Sequence, residues 1–270
     1  MDFRLDDGWQ IRPIGGNTGM AYVGTKEQEK LFIKRNTSPF LAALSLEEIT
    51  PRLVWTRHIS TGDTLTAQEW LNGRCLTREE MKDRRVVELL TRVHRSNVLK
   101  KMLWQVGGRY VFPEDLLASY FRGLSSSLRQ HPLLKNVANR LRSNQPKFDH
   151  RDYSVCHGDL NHKNWLLSDS NRLYLVDWES AALADPAMDL SVLMCQYVPR
   201  KDWKEWLTAN FDKNLTDTFQ QRIAWYCRLN LLLSVKNQCE RGHFIEMNQD
   251  ILKLADISKN QGGYDFTLFV

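Results

Sequence analysis

The sequence predicts an α+β fold in two parts, a small β-rich front over residues 1–72 and a larger, mainly helical part over residues 73–270. The chain has 270 residues, more than the usual domain size of about 100–200. Short apolar runs between turn residues fill the front, whereas helical periodicity dominates after residue 77. Hydrophobic residues make up 42% and charged residues 26%, an ordinary globular composition.

Three short apolar runs open the front part, namely Trp9–Ile14, Met20–Gly24 and Leu31–Lys34. A glycine cluster joins the first two, and the charged turn Thr25–Lys30 leads into the third. Runs of this length between turn residues are typical of strands. We therefore expect a small antiparallel meander.

The rest of the front part combines a helical and an extended pattern. Ser45–Ile59 has apolar residues on a roughly helical period, with Pro51 either near the first turn or at a break, so we expect a helix. Leu65–Leu71 predicts a strand that ends at the turn Asn72–Gly73.

Helical patterns dominate the second part. Thr77 and Glu80 have the spacing of a capping box ahead of a helix over Met81–Arg95. Further helices are expected at Pro113–Phe121, at Leu133–Leu141 and between Leu190 and Ile257. Brief apolar runs inside this part predict a small sheet over Tyr153–Cys156, Asn164–Leu167 and Leu173–Val176.

Charge and cysteine content make several classes of protein less favoured. The 37 Lys and Arg against 32 Asp and Glu give a net charge of +5, spread thinly along the chain, which does not favour a nucleic-acid binder. The five cysteines form no CxxC pair, so no zinc ribbon or redox motif is present, and a reducing, cytoplasmic location is expected. The first residues do not form a signal peptide, and the apolar stretches fall short of about 20 residues, so no membrane insertion is expected.

The residues with the clearest chemistry lie between Val155 and Glu179. Asp159 precedes Asn164 by five positions, and Asp177 follows thirteen positions later, just after an expected strand. Phosphoryl transfer needs a carboxylate facing the attacking hydroxyl and hard oxygen ligands that hold Mg²⁺ on the phosphates. We therefore expect Asp159 to orient or accept the acceptor proton, Asn164 and Asp177 to bind Mg²⁺, and His157 to brace the loop.

These residues also resemble a known family. HGDLNHKNW followed by VDWE resembles the catalytic and metal-binding motifs of the aminoglycoside phosphotransferase/choline kinase family, and Asp185-Pro186 and Asp189 extend the likeness. The resemblance implies a protein-kinase-like bilobal fold with a small antiparallel N-lobe and a larger helical C-lobe. The segments NTSP, QEWL and TRVHRS are similar to segments of the CcrZ/YtmP-like subfamily of cell-cycle regulator kinases. This likeness implies a nucleoside acceptor, particularly a 2′-deoxynucleoside. It also implies division or replication proteins as partners.

A kinase-like reading assigns nucleotide contacts to the front part. A glycine-rich turn lets the backbone approach phosphates, although a plain hairpin explains the same residues: Gly15, Gly16, Asn17 and Gly19. Lys34 is expected to reach the ATP phosphates and to pair with Glu47, in preference to Glu48. Gln68, Glu69 and Trp70 would join the lobes, with backbone groups facing adenine.

The sequence contains the least information about which acceptor the protein binds. Trp178 and Glu179 directly follow Asp177, and His162 lies in the catalytic loop, so these three are candidates for acceptor contacts. Core packing is the simpler explanation for most of the other aromatic residues in this half.

The sequence as a whole predicts an ATP- and Mg²⁺-dependent kinase that phosphorylates a small-molecule hydroxyl, with a nucleoside favoured. Choline, ethanolamine and aminoglycoside kinases are the alternatives with the same chemistry. A pseudokinase that serves as a regulatory binding protein is the alternative of another class. A protein kinase ranks last, because Asp185-Pro186 follows Asp177 so soon that little room remains for an activation loop.

Overall fold

A computed structural model of the chain describes residues 8–14, 21–147, 149, 152–211 and 216–258. The strands in the described residues are β1 (Gln10–Pro13), β2 (Ala21–Lys26), β3 (Glu29–Arg35), β4 (Leu53–His58), β5 (Thr64–Glu69), β6 (Gly73–Cys75), β7 (Ser154–Cys156), β8 (Trp165–Ser168), β9 (Leu173–Leu175) and β10 (Ala182–Ala184). The helices are α1 (Phe40–Leu46), α2 (Arg84–Arg95), α3 (Asn97–Gln105), α4 (Pro113–Phe121), α5 (Ser126–Gln130), α6 (Pro132–Ser143), α7 (Pro186–Tyr197), α8 (Trp203–Asn210), α9 (Asp217–Glu240) and α10 (Phe244–Ser258).

These elements form two compact units, each built from separate stretches of chain. The first unit contains residues 1–77, 96–108 and 161–181, and the second contains residues 78–95, 109–160 and 182–270. These units do not follow a single boundary in the sequence, and the division into lobes at 1–72 and 73–270 stays a prediction.

The first unit holds a five-stranded antiparallel sheet in the order β1-β2-β3-β5-β4. The expected meander of β1, β2 and β3 is confirmed. Side chains alternate across a strand, so Leu31 and Ile33 lie on one face, where they pack with Leu65 and Ala67 of β5. Lys34 is the next residue after Ile33 and therefore points to the opposite face.

The helix predicted over Ser45–Ile59 is wrong. Helix α1 begins earlier, at Phe40, and ends at Leu46, while Leu53–His58 forms the edge strand β4. Pro51 lacks an N–H and disfavours a helical residue before it, so the helix cannot continue. Pairing of β4 with β5 instead satisfies the backbone of the segment that follows.

The first unit also contains a smaller sheet in the order β6-β8-β9. Its strands are antiparallel, and the Leu175 N–H donates to the Ile49 carbonyl at 2.9 Å, which ties β9 to the chain after α1. Two short 3₁₀ turns flank this sheet, at His162–Asn164 and Trp178–Ser180. Together they deliver the residues of the candidate site.

The second unit is mainly helical and includes one two-stranded antiparallel sheet, β7 with β10. Helix α2 begins at Arg84 rather than at the predicted Met81, because Asp83 is extended with ψ 146° and separates α2 from a 3₁₀ turn at Glu80–Lys82. The expected helices at Pro113–Phe121 and Leu133–Leu141 are confirmed. The α+β class predicted from the sequence is confirmed as well.

Two further expectations bear on the class of protein. No helix among the described residues has both the length and the apolar character that crossing a bilayer requires. The cysteines are free thiols: Cys75, Cys156, Cys195, Cys227 and Cys239.

Candidate active site

The turn after β9 places Asp177 in an uncommon backbone conformation. Its φ of 66° and ψ of 63° lie in the left-handed region, which aspartate and asparagine tolerate better than most side chains. The Val176 N–H donates to the Asn164 carbonyl at 2.9 Å. This bond ties the two chain segments together, so the predicted metal ligands Asn164 and Asp177 lie on neighbouring turns of one unit.

Lys34 connects β3 to this turn. Its Nζ lies 2.8 Å from Asp177 Oδ1 and 2.7 Å from Glu179 Oε1. Burial lowers the pKa of Lys34, but the hydrogen bonds to Asp177 and Glu179 outweigh it and raise the pKa above its ordinary value. The ammonium group is therefore charged and held between two carboxylates.

The predicted partner of Lys34 differs from the observed ones. Among the described residues, Lys34 forms its ion pairs with Asp177 and Glu179 and not with Glu47. The chain turns directly after α1, where Glu48 has a φ of 55° and pairs with Arg172 at 2.6 Å. Since α1 ends at Leu46, Glu47 lies in the C-terminal cap of the helix and not on the helix itself.

The donors on this turn suit a hard divalent cation. Asn164 offers an amide oxygen, and Asp177 and Glu179 offer carboxylate oxygens, the ligand types that Mg²⁺ prefers. The two carboxylates already surround one positive group, Lys34 Nζ. The residues present therefore fit the metal that the sequence predicts.

The predicted catalytic loop lies in the second unit and follows β7. Asp189, on α7, accepts the His157 N–H at Oδ2 (2.8 Å) and the Gly158 N–H at Oδ1 (3.1 Å). The Asp159 N–H donates to His157 Nδ1 at 3.2 Å, so the His157 ring braces the loop from within. The Asp159 carboxylate is exposed.

His94 on α2 completes the support of this loop. Its Nε2 lies 3.1 Å from Asp189 Oδ2, and Asp189 is almost fully buried. Burial raises the pKa of Asp189, but the bonds to His94 and to the His157 N–H outweigh it, so the pKa lies below its ordinary value. The carboxylate that holds the loop is therefore ionised.

Replacing Asp189 by Ala is expected to lower the free energy of unfolding by about 3–5 kcal/mol, because two loop N–H groups and His94 lose a buried partner. Urea denaturation at neutral pH measures the change, with the exposed Asp152→Ala as the control. A loss below about 1 kcal/mol would show that Asp189 does not hold the loop.

Asp185 supports the start of α7. Its Oδ1 accepts the Ala187 N–H at 3.0 Å, and Arg222 Nε lies 3.0 Å from Oδ2. Burial raises the pKa of this carboxyl group, although Arg222 opposes the shift. The acidic residues that follow the VDWE motif thus cap α7 and anchor the loop.

The structure describes only some of the residues predicted to contact the nucleotide. Gly15, Gly16, Asn17 and Gly19 lie outside the described residues. The Gln68 side chain is buried and donates to Thr50 Oγ1 (3.1 Å) and to the Pro51 carbonyl (2.7 Å). The Glu69 N–H donates to the Arg52 carbonyl at 2.8 Å. The Gln68 side chain and the Glu69 N–H therefore bind strand β5 to the segment just before β4.

The three acceptor candidates lie in different environments. Trp178 is buried, donates from Nε1 to the Leu175 carbonyl at 2.8 Å, and meets Phe40 edge-on with ring centroids 6.0 Å apart. It therefore packs in the core and does not present a ring face to an acceptor. Glu179 pairs with Lys34, and His162 opens a 3₁₀ turn.

Comparison with known proteins identifies the family of the chain. Residues 25–226 match the profile described as the phosphotransferase enzyme family, so the chain belongs to that family. It is therefore a phosphotransferase, and the solved structures similar to it include kinases. The CcrZ/YtmP-like subfamily suggested by shorter motifs has no such support.

Solved structures similar to the chain share its fold. A GDP and kanamycin complex of APH(2″)-IIia has a TM-score of 0.64 at 16% identity, with 95% of this chain and 96% of that chain covered. The choline kinase LicA from Streptococcus pneumoniae has a TM-score of 0.61 at 18% identity, covering 92% and 94%. A Plasmodium vivax ethanolamine kinase has a TM-score of 0.59 at 16% identity, covering 92% and 81%. The kinase-like fold predicted from the sequence is confirmed.

Proposed function

We propose that this phosphotransferase moves the γ-phosphoryl group of ATP to a hydroxyl group of a small molecule. The arrangement of Lys34, Asp177 and Glu179 beside the Asn164 turn carries this proposal. It combines a fixed cation for phosphate oxygens with oxygen donors for a metal, which are the parts that phosphoryl transfer requires.

Each residue has a separate task in this mechanism. With nucleotide bound, Lys34 would leave its carboxylate partners to contact phosphate oxygens, and Asn164 and Asp177 would hold Mg²⁺. When bound, Mg²⁺ neutralises charge on the phosphates. Asp159 accepts a hydrogen bond from the acceptor hydroxyl and orients its oxygen for attack. The acceptor oxygen bonds to the γ-phosphorus as the bond to the β-phosphate oxygen breaks and ADP leaves. The hydroxyl proton passes to the Asp159 carboxylate or to the transferred phosphoryl group.

Catalysis under this scheme comes from position and charge, because the chain forms no covalent intermediate. Asp189 supports the reaction indirectly, since its two bonds to loop N–H groups fix the backbone that carries Asp159. The nucleotide assignment has support from the structural neighbour crystallised with GDP. We favour ATP as the donor.

A nucleoside, particularly a 2′-deoxynucleoside, is our favoured acceptor, on the motif resemblance alone. The burial of Trp178 removes one aromatic face that would stack a base. A second candidate is a cationic acceptor, since the similar structures include choline and ethanolamine kinases and a kanamycin complex. A cell-cycle role and partners among division or replication proteins depend on the nucleoside assignment.

Measurement of ADP release separates these acceptors. The purified protein is incubated with Mg·ATP and, in parallel, with deoxynucleosides, ribonucleosides, choline, ethanolamine and kanamycin. We expect the highest kcat/KM with a deoxynucleoside. Turnover of choline, ethanolamine or kanamycin alone would establish the second candidate. Thermal stabilisation by Mg·ATP without turnover of any hydroxyl compound would indicate a regulatory binding protein instead.

A further inference from the structure

The five-stranded sheet of the first unit carries an open groove of about 690 Å³ on its surface. Three tryptophans contribute to its walls: Trp9, Trp55 and Trp70. Lys26, Lys30, Arg52 and Arg57 supply positive charge, whereas Glu29 and Glu69 supply negative charge. Four cations against two carboxylates leave the groove positively charged.

This groove lies at the start of β3, whereas Lys34 is near the end of the same strand. Leu31 lines the groove and belongs to the buried layer that Ile33, Leu65 and Ala67 form on one face. Lys34 follows Ile33 directly, so its side chain leaves the strand on the opposite face. Lys30 also lines the groove and shares the Lys34 face by the same alternation, so the groove spans both faces at the start of β3. Lys34 is four residues further along the strand, about 13 Å away, so a ligand in the groove would lie near the opposite end of β3 from Lys34.

Two of the cations rest on tryptophan rings. Lys30 Nζ lies 3.7 Å above the Trp70 ring centroid, and the Arg57 guanidinium lies 5.1 Å from the Trp55 centroid. These contacts restrict the long side chains before any ligand arrives, which reduces the entropy cost of binding an anion. The same contacts cover ring faces on which the bases of a single-stranded nucleic acid would otherwise stack.

The edge of the sheet adds an apolar contact point. Strand β4 is the last strand in the sheet order, and its register with β5 shifts between Leu53 and Trp55. The intervening Val54 lines the groove and is 39% exposed. A segment lying beside β4 would thus meet one aliphatic side chain flanked by Arg52 and Arg57.

We propose that the groove docks an acidic, extended segment of a partner protein, with carboxylates facing the cations and an apolar residue on Val54. Tryptophan and arginine are the residue types that most often dominate binding energy at protein interfaces. Opposite charge on the partner would speed association and select against basic segments. This proposal does not rest on the proposed kinase reaction, although the groove shares Glu69 and Trp70 with the segment whose backbone is predicted to face adenine.

Selection from a phage-displayed library of random peptides tests the proposal. We expect the wild-type protein to enrich acidic peptides that contain an apolar residue. The double variant Lys30→Glu/Arg57→Glu is expected to bind a labelled synthetic copy of the enriched peptide at least about tenfold more weakly. The control Lys201→Glu/Lys204→Glu makes the same charge change on exposed residues of the second unit and is expected to keep wild-type affinity.

Both altered groove residues are exposed, so the variant is expected to keep the wild-type melting temperature and ADP release. If it unfolds, the single variant Lys26→Glu replaces it with the same expected direction. Enrichment of neutral or basic peptides, no enrichment, or equal loss of affinity in the control would overturn the proposal. So would a labelled oligothymidylate that binds more tightly than the peptide and loses affinity in the groove variant, because that result assigns the groove to nucleic acid.

Discussion

Replacing Asp159 by Asn is expected to lower kcat by about 10²–10⁴-fold, the usual contribution of a positioned acid or base. The amide keeps the size of the side chain but cannot accept the acceptor proton. The bond from the Asp159 N–H to His157 Nδ1 involves only the backbone of Asp159, so it survives the change. Nucleotide affinity is therefore expected to stay within about twofold of wild type, so the loss falls on kcat.

Steady-state ADP release with the best acceptor measures kcat, and fluorescence titration with an ATP analogue measures nucleotide affinity. Asp152→Asn provides the matched control, because it makes the same change at an exposed residue of the same unit. Turnover at the wild-type rate in Asp159→Asn would contradict the role assigned to Asp159.

The second large effect is expected from Asp177→Asn. Asparagine tolerates the left-handed backbone at this position, so the change removes charge without disturbing the turn. Loss of a carboxylate ligand is expected to cost several kcal/mol of charge stabilisation, which corresponds to at least about a hundredfold in kcat/KM. Lys34 retains Glu179 as a partner and remains in place.

A magnesium titration of ADP release distinguishes this effect from general damage. The half-saturating Mg²⁺ concentration is expected to rise in Asp177→Asn and to stay unchanged in Asp169→Asn, an exposed aspartate after β8 in the same unit. An unaltered Mg²⁺ requirement in Asp177→Asn would remove Asp177 from the set of metal ligands.

The fold was predictable where the pattern is local. Short apolar runs and the charged turn Thr25–Lys30 are sufficient to indicate the antiparallel meander of β1, β2 and β3. The segment Ser45–Ile59 was not predictable in the same way, since its apolar spacing fits a helical period. Pairing with β5, which no spacing reveals, makes Leu53–His58 a strand.

In the candidate site, too, short motifs could be recognised in the sequence, whereas contacts between distant residues could not. HGDLNHKNW and VDWE identify the loop and the turn, because their chemistry lies within short stretches of sequence. Asp189 stands 32 positions from His157, and its bonds to the loop follow from the packing of α7. Trp178 follows Asp177 directly, yet the turn directs its ring into the core. Its position next to Asp177 in the sequence therefore did not indicate where the side chain lies.

The ion pairs of Lys34 depend on tertiary structure in the same way. Asp177 lies 143 positions away in sequence, and the strand pattern around Lys34 contains no information about it. A glutamate on the next helix was the nearest candidate by sequence, but α1 ends before Glu47. The spatial neighbours of a strand residue such as Lys34 can therefore be identified only from the structure.

The most direct test of the central claim follows the γ-phosphoryl group itself. The protein is incubated with ATP labelled with ³²P at the γ-position, with Mg²⁺ and the acceptor panel, and the products are separated by chromatography. Transfer of label to a small hydroxyl compound, dependent on Mg²⁺ and lost in Asp159→Asn, is the result that the proposed function predicts. Label that remains in ATP with every acceptor, although Mg·ATP binds, would contradict it.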